Sequence, residues 1–205
     1  TQYFDITENA FSKAFYEPNT SFSANGYTIS SSGDRYGASF LYLAAPDDIM
    51  SADLFIADRT TAGTSVKVVV YHQNDEGEYV QQRESEWAEI TEDMIGTWTN
   101  FTFTNPYRLA FEEGETYKEV TVMAEIDYEG DQSIYFGSSD ILTTRGHSSM
   151  EYLAQRDAWY YGSDDIALTF HTGEGVQVEA AQNVVEGVEM YPNPSNGIVN
   201  FTNVE

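Results

Sequence analysis

Asp127-Tyr128-Glu129-Gly130-Asp131 places carboxylates at every second position of a turn-prone stretch. That spacing can wrap a hard cation, and Asp127, Glu129 and Asp131 are read as a candidate Ca2+ site. The run lacks the full loop pattern and the distal bidentate glutamate of helix–loop–helix calcium sites, so a solvated hairpin loop is the competing reading. Asp47 with Asp48, and Asp75 with Glu76 and Glu78, form two further acidic clusters open to the same two readings. A second chemistry is stacking. Trp98, Trp159, Tyr160 and Tyr161 offer flat rings for the apolar faces of sugars, with neighbouring amides and carboxylates to bind the hydroxyls. Packing in or around the core is the alternative for each ring.

Catalytic constellations are scarce. His72, His147 and His171 lie far apart in the chain and in no zinc-hydrolase spacing. Gly146-His147-Ser148-Ser149-Met150 is only superficially like a nucleophile elbow, since it has neither the second glycine nor a strand-turn-helix setting. No glycine-rich phosphate loop occurs. Cysteine is absent, which removes disulfides, thiolate metal sites and cysteine nucleophiles together. Carboxylates are too plentiful to single out a glycosidase pair without geometry, so a carboxylate-dependent hydrolase is the weakest of the functional expectations and a non-enzyme the first.

The 205 residues include 34 acidic and 9 basic side chains, a formal charge of −25. Nucleic acid and anionic lipid would both be repelled, and neither is expected as a partner. No apolar run is long enough for a helical membrane span, and Thr1 does not open a signal peptide, so the chain reads as mature or internal sequence. The acidity suits either a solvated extracellular surface or bound Ca2+.

These residues need a scaffold, and the 12 Phe, 15 Tyr and 3 Trp among abundant Gly, Ser and Thr favour strands and turns. Short strands are expected between Thr1 and Ser32. Asp34 to Ala45 carries apolar residues on both faces toward its end, as a central strand does. Ala52–Ala57, Ser65–His72 and Tyr79–Gln82 follow, with Asn74 to Glu78 as a polar hairpin loop. Glu84 to Met94 has a helix-like spacing of Trp87, Ile90 and Met94, and a long loop fits it as well. Thr97 to Thr104 alternates Thr99, Phe101 and Phe103 against Trp98, Asn100 and Thr102. Tyr117 to Asp127 puts Val120, Val122, Ala124 and Ile126 on one face. Ser133–Phe136, Met150–Leu153, Ala158–Tyr161 and Ile166–His171 complete the set. The fold class is all-β: a jelly-roll-like β-sandwich over residues 1–180, a linker at 181–189, and the beginning of a second small β-domain at 190–205.

That last boundary rests on Tyr191-Pro192-Asn193-Pro194, a stiff extended joint, followed by the turn Ser195-Asn196-Gly197 and a strand-like Ile198-Val199-Asn200-Phe201. Met190 to Phe201 resembles the opening of the type A C-terminal sorting domain of the type IX secretion system of Bacteroidota, with Tyr191, Pro192, Asn193, Pro194 and Gly197 as the matching signal residues. The resemblance covers about the last 20 residues, from Val184 on. It implies export across both membranes, recognition by the type IX machinery at the outer membrane, and a secreted or cell-surface location. Further back, Ser65–His72, Gly96-Thr97-Trp98 before Phe101 and Phe103, Asn105-Pro106, Gly114-Glu115-Thr116-Tyr117 and Trp159-Tyr160-Tyr161 come in an order that resembles galactose-binding-like jelly rolls over residues 36–171. No site residue carries over from it. The functional expectation is a non-catalytic extracellular module that binds a glycan or surface protein. A structural or adhesin stalk domain, or a subunit of an extracellular assembly, is the alternative.

Overall fold

The computed structural model describes residues 10–12, 27–29, 31–42, 47–115, 117–127, 132–139, 149–162, 165–173, 189–191 and 200–202. The strands β1 (Ala10–Ser12), β2 (Tyr27–Ile29), β3 (Arg35–Tyr42) and β4 (Asp47–Ile56) come first. Next are β5 (Ser65–Gln73), β6 (Tyr79–Glu84), β7 (Ala88–Glu89), β8 (Thr97–Leu109) and β9 (Lys118–Asp127). Then follow β10 (Ile134–Phe136), β11 (Ser138–Ser139), β12 (Ser149–Leu153), β13 (Ala158–Tyr161), β14 (Asp165–Ile166) and β15 (Leu168–Thr172). The tail holds β16 (Glu189–Tyr191) and β17 (Asn200–Thr202).

Two antiparallel sheets pack face to face as an all-β sandwich. The first runs β1-β15-β4-β10-β2, with β8 on the other side of β4. The second runs β13-β12-β3-β9-β5-β6, with β7 beside the start of β5. Alternation along each strand sends one set of side chains inward. Tyr36, Ala38 and Phe40 of β3, Val66, Val68 and Val70 of β5, and Val120, Val122, Ala124 and Ile126 of β9 meet Ala52, Leu54, Ile56, Phe101, Phe103, Leu168 and Phe170 of the first sheet. The face expected for Val120 to Ile126 is the core face, and the central position expected for the stretch after Asp34 is that of β3.

β8 extends past Thr104 to Leu109. Its register against β4 shifts between Ile49 and Ser51, which pair with Tyr107 and Thr102, so Asn105-Pro106 falls in the slack. A proline there costs no ladder bond. Glu84 to Met94 is not helical: the Ile90 amide donates to the Thr64 carbonyl (2.7 Å) and its carbonyl accepts from Gly63 (2.8 Å). Those bonds drop the Ile90 side chain into the core. In the tail, Met190 pairs with Phe201 and Tyr191 with Asn200. Pro192, Asn193, Pro194 and Gly197 lie outside the described residues.

Candidate functional site

The side chains of the second sheet that point away from the main core form rows across the strands, Tyr71 lying in the row of Ser39, Thr121 and Gln81. One row reads Tyr161, Met150, Gly37, Met123, Val69, and the next Trp159, Tyr152, Arg35, Glu125, Lys67. An outer sheet face is normally wet, yet Val69, Tyr71, Met123 and Met150 are buried there as a second apolar cluster, with Tyr79 and Trp159 packed against it. The cause is curvature. β13 and β6 are the two edges of this sheet, about 24 Å apart if five strand spacings were laid flat. The Trp159 and Tyr79 ring centroids are nevertheless 4.4 Å apart, and the Tyr79 hydroxyl donates to Met150 Sδ at 3.9 Å. The outer face is therefore concave, with its edges drawn together over their own apolar floor.

Gly37 makes the curl possible. A methyl group at this position would run into the Val122 carbonyl oxygen and come within 2.7 Å of Met123 Sδ, so only glycine lets the methionine lie across β3. Trp159 is the hub of the closure, with Tyr71 edge-on at 5.2 Å and Tyr152 tilted at 5.1 Å.

A charged ladder borders the rings. Arg35 Nε donates to Glu125 Oε2 at 2.7 Å, and its guanidinium carbon sits 4.6 Å from the Tyr152 ring centre and 5.6 Å from that of Tyr71. Lys67 Nζ is 2.7 Å from Glu84 Oε2 and 3.7 Å from Glu125 Oε1, and lies 4.8 Å from the centre of the Trp87 ring. The Lys67 hydrogen bond holds the Glu84 carboxyl below its ordinary range. Trp87 stands 44% exposed just beyond a break in the edge strand. At that break the Val68 amide donates to Ser85 Oγ (3.0 Å) and the Ser85 amide to the Val68 carbonyl (2.9 Å).

The phenols of Tyr71 and Tyr79 differ from free tyrosine. Burial raises the Tyr71 hydroxyl well above its ordinary range, against an opposing pull from Arg35, and burial pushes Tyr79 up to about 12. Both keep their protons at physiological pH. The Tyr71 hydroxyl is also sealed from solvent with no hydrogen-bond partner among the described residues.

The four rings singled out in the sequence do not form one platform. Trp159 and Tyr161 belong to the concave face, Tyr161 being 58% exposed. Tyr160 pairs with Glu151, which pairs with the core residue Tyr36, so it points to the opposite side of the sheet. Trp98 is on the outer face of the first sheet, edge-on to Phe55 at 5.8 Å. Tyr71, Tyr79, Tyr152, Trp87 and Arg35 were not singled out. Parity in β5 was the available signal: with Val66, Val68 and Val70 inward, Tyr71 has to face outward.

Asp127 is exposed at the end of β9 opposite Ser65, while Glu129 and Asp131 lie outside the described residues. Among the described residues no three His, Asp or Glu side chains are grouped to hold a metal ion. The acidic hairpin loop is organised by Asn74, whose side-chain oxygen accepts from the amides of Glu76 (3.1 Å) and Glu78 (2.8 Å). Asp48 instead faces Arg108 at 3.3 Å. On the first sheet's outer face a polar chain runs from His171 Nε2 to Asp53 Oδ2 (2.7 Å). It continues through Asn100 Nδ2, which donates to Asp53 Oδ1 (2.6 Å), and Thr102 Oγ1, which donates to Asn100 Oδ1 (3.0 Å). Ser51 stands opposite His171 in the ladder, but its hydroxyl accepts from Asn100 at 3.2 Å and His171 Nε2 is engaged by Asp53. That does not assemble a nucleophile relay.

Compared with protein-family models, curated proteins and solved structures, the chain matches none. Among the described residues no helix is long and apolar enough to cross a membrane.

Proposed function

We propose that this chain is a non-catalytic extracellular binding module whose ligand is a glycan held at the concave face of the second sheet. The observation that carries the reading is the gathering of Trp159, Tyr79, Tyr152 and Tyr161 around that concavity, beside the Arg35–Glu125 pair. Concave faces with aromatic walls and a few placed polar groups are the surfaces on which sugars stack and hydrogen-bond. A glycan array followed by calorimetry, with wild type and Tyr161→Ala, tests it. Binding by wild type that weakens in the variant is expected, and a wild type that binds no glycan ends the reading.

The sorting-like tail supports delivery by the type IX system to the outer face of the outer membrane. Replacing Pro192-Asn193-Pro194 is expected to leave the sandwich folded and to disturb export, and normal surface arrival of that variant would remove the assignment. The Ca2+ reading of Asp127, Glu129 and Asp131 rests on their spacing. Melting in excess Ca2+ and then in EGTA tests it, a shift of several degrees being expected from a ligand that binds only the folded state.

A passive stalk or assembly subunit is the second reading, favoured by Val80 and Trp87, which are both more than 40% exposed along the β6 to β7 edge. Concentration-dependent sedimentation that Trp87→Ser abolishes would move the conclusion to that reading.

A further inference from the structure

We infer that the ligand of the concave face is an uncharged saccharide anchored by the Tyr71 hydroxyl. The inference rests on the glycan reading above and names its ligand class and its polar contact. Both cations of the face are already neutralised: Arg35 is spent on Glu125, and Lys67 on Glu84 and Glu125. An anionic polysaccharide would find no uncommitted positive charge in this ladder and would approach a chain of formal charge −25. An uncharged one escapes that repulsion and needs only rings and hydrogen-bond donors.

The face supplies both. Tyr71 is 3% exposed, and its hydroxyl is one of two buried side-chain polar atoms without a partner among the described residues. The other, Thr172 Oγ1, belongs to the first sheet. A buried hydroxyl with nothing to bond is costly, and such a group is satisfied when a polar molecule reaches it. Trp159 lies nearly perpendicular to the Tyr71 ring, with centroids 5.2 Å apart, and is itself only partly buried, so a turn of this side chain would admit a sugar. The phenol keeps its proton far above neutral pH, so it is available as a donor to a hydroxyl or ring oxygen.

The experiment is affinity electrophoresis of the 205-residue chain and of Tyr71→Phe, with a melting curve for each. The native gels contain barley β-glucan, xyloglucan or galactomannan, and, in parallel, alginate or polygalacturonate. Retardation by a neutral polysaccharide, weakened about fivefold in Tyr71→Phe while that variant melts no lower than wild type, is the expected result. Equal retardation of the two proteins would overturn the role of Tyr71 and leave the glycan reading standing. Retardation by alginate or polygalacturonate alone would overturn the uncharged class. No retardation in any gel would count against the glycan reading itself, and this inference would fall with it.

Discussion

Trp159 lies against Tyr79 with ring centroids 4.4 Å apart although the two residues belong to opposite edge strands of one sheet. This meeting closes the concave face over Val69, Tyr71, Met123 and Met150. It is a tertiary contact between strands that share no hydrogen bond, so its loss should not be confined to one hairpin. Trp159→Ala is expected to cost about 2–4 kcal/mol, less than a fully buried tryptophan because the ring is partly exposed. In a domain of this size that lowers the melting midpoint by roughly 5–10 °C. A double-mutant cycle with Tyr79→Ala should show a coupling of about 1 kcal/mol in chemical denaturation. Additive losses would mean that the two rings stabilise the fold independently.

Gly37 permits the curl by its lack of a side chain. Gly37→Ala is expected to destabilise the fold by about 1–3 kcal/mol, since the obstacle includes the Val122 carbonyl oxygen, which cannot swing aside as a side-chain tip can. Denaturant melts of the two proteins check this, and a variant as stable as wild type would show that β3 and β9 can separate there without penalty.

How the chain folds was legible wherever the information was local. The alternation of Val120, Val122, Ala124 and Ile126 assigned a strand and its buried face correctly because the period of a strand is a property of neighbours in sequence. The curl was not legible. It depends on Gly37 meeting Val122 across a strand pair and on β12 and β13 returning over the face, relationships between distant segments. For the same reason Trp98 and Trp159 looked equivalent: both sit in aromatic strands, but sheet membership follows from pairing partners, which separate them onto two different outer faces. Trp87, Ile90 and Met94 gave a helical spacing by coincidence. Ile90 points inward because of backbone bonds to Gly63 and Thr64, while Trp87 stays out beside Lys67.

The acidic hairpin after β5 gives a local prediction. Asn74 accepts two loop amides, and its own side-chain amide donates to Glu76 Oε2 and Glu78 Oε2, each at 3.2 Å. Asn74→Ala is expected to cost about 1 kcal/mol through the lost amide acceptor, with the two carboxylates left to repel each other. Raising the salt concentration should recover part of the loss by screening that repulsion, as followed in the melting midpoint. A loss that salt does not alter would assign the whole effect to the hydrogen bonds.

Alkaline pH probes the concave face directly. Tyr79 has an ordinary value of 10.0 when unfolded and is pushed up to about 12 when folded, and Tyr71 moves in the same direction. Above pH 10 the unfolded chain releases these protons while the folded one still holds them, so deprotonation favours unfolding. The stabilisation is complete below the unfolded value and is lost as pH rises from 10 toward 12. Denaturant midpoints measured across that window should fall, and tyrosinate absorbance should show Tyr71 and Tyr79 among the phenols that titrate late. The double variant Tyr71→Phe/Tyr79→Phe removes both groups and should show a shallower decline over the same range. An unchanged decline would place the alkaline sensitivity elsewhere, with Tyr107 and Tyr152 next to test, since burial raises the first and the hydrogen bond to Asp157 raises the second.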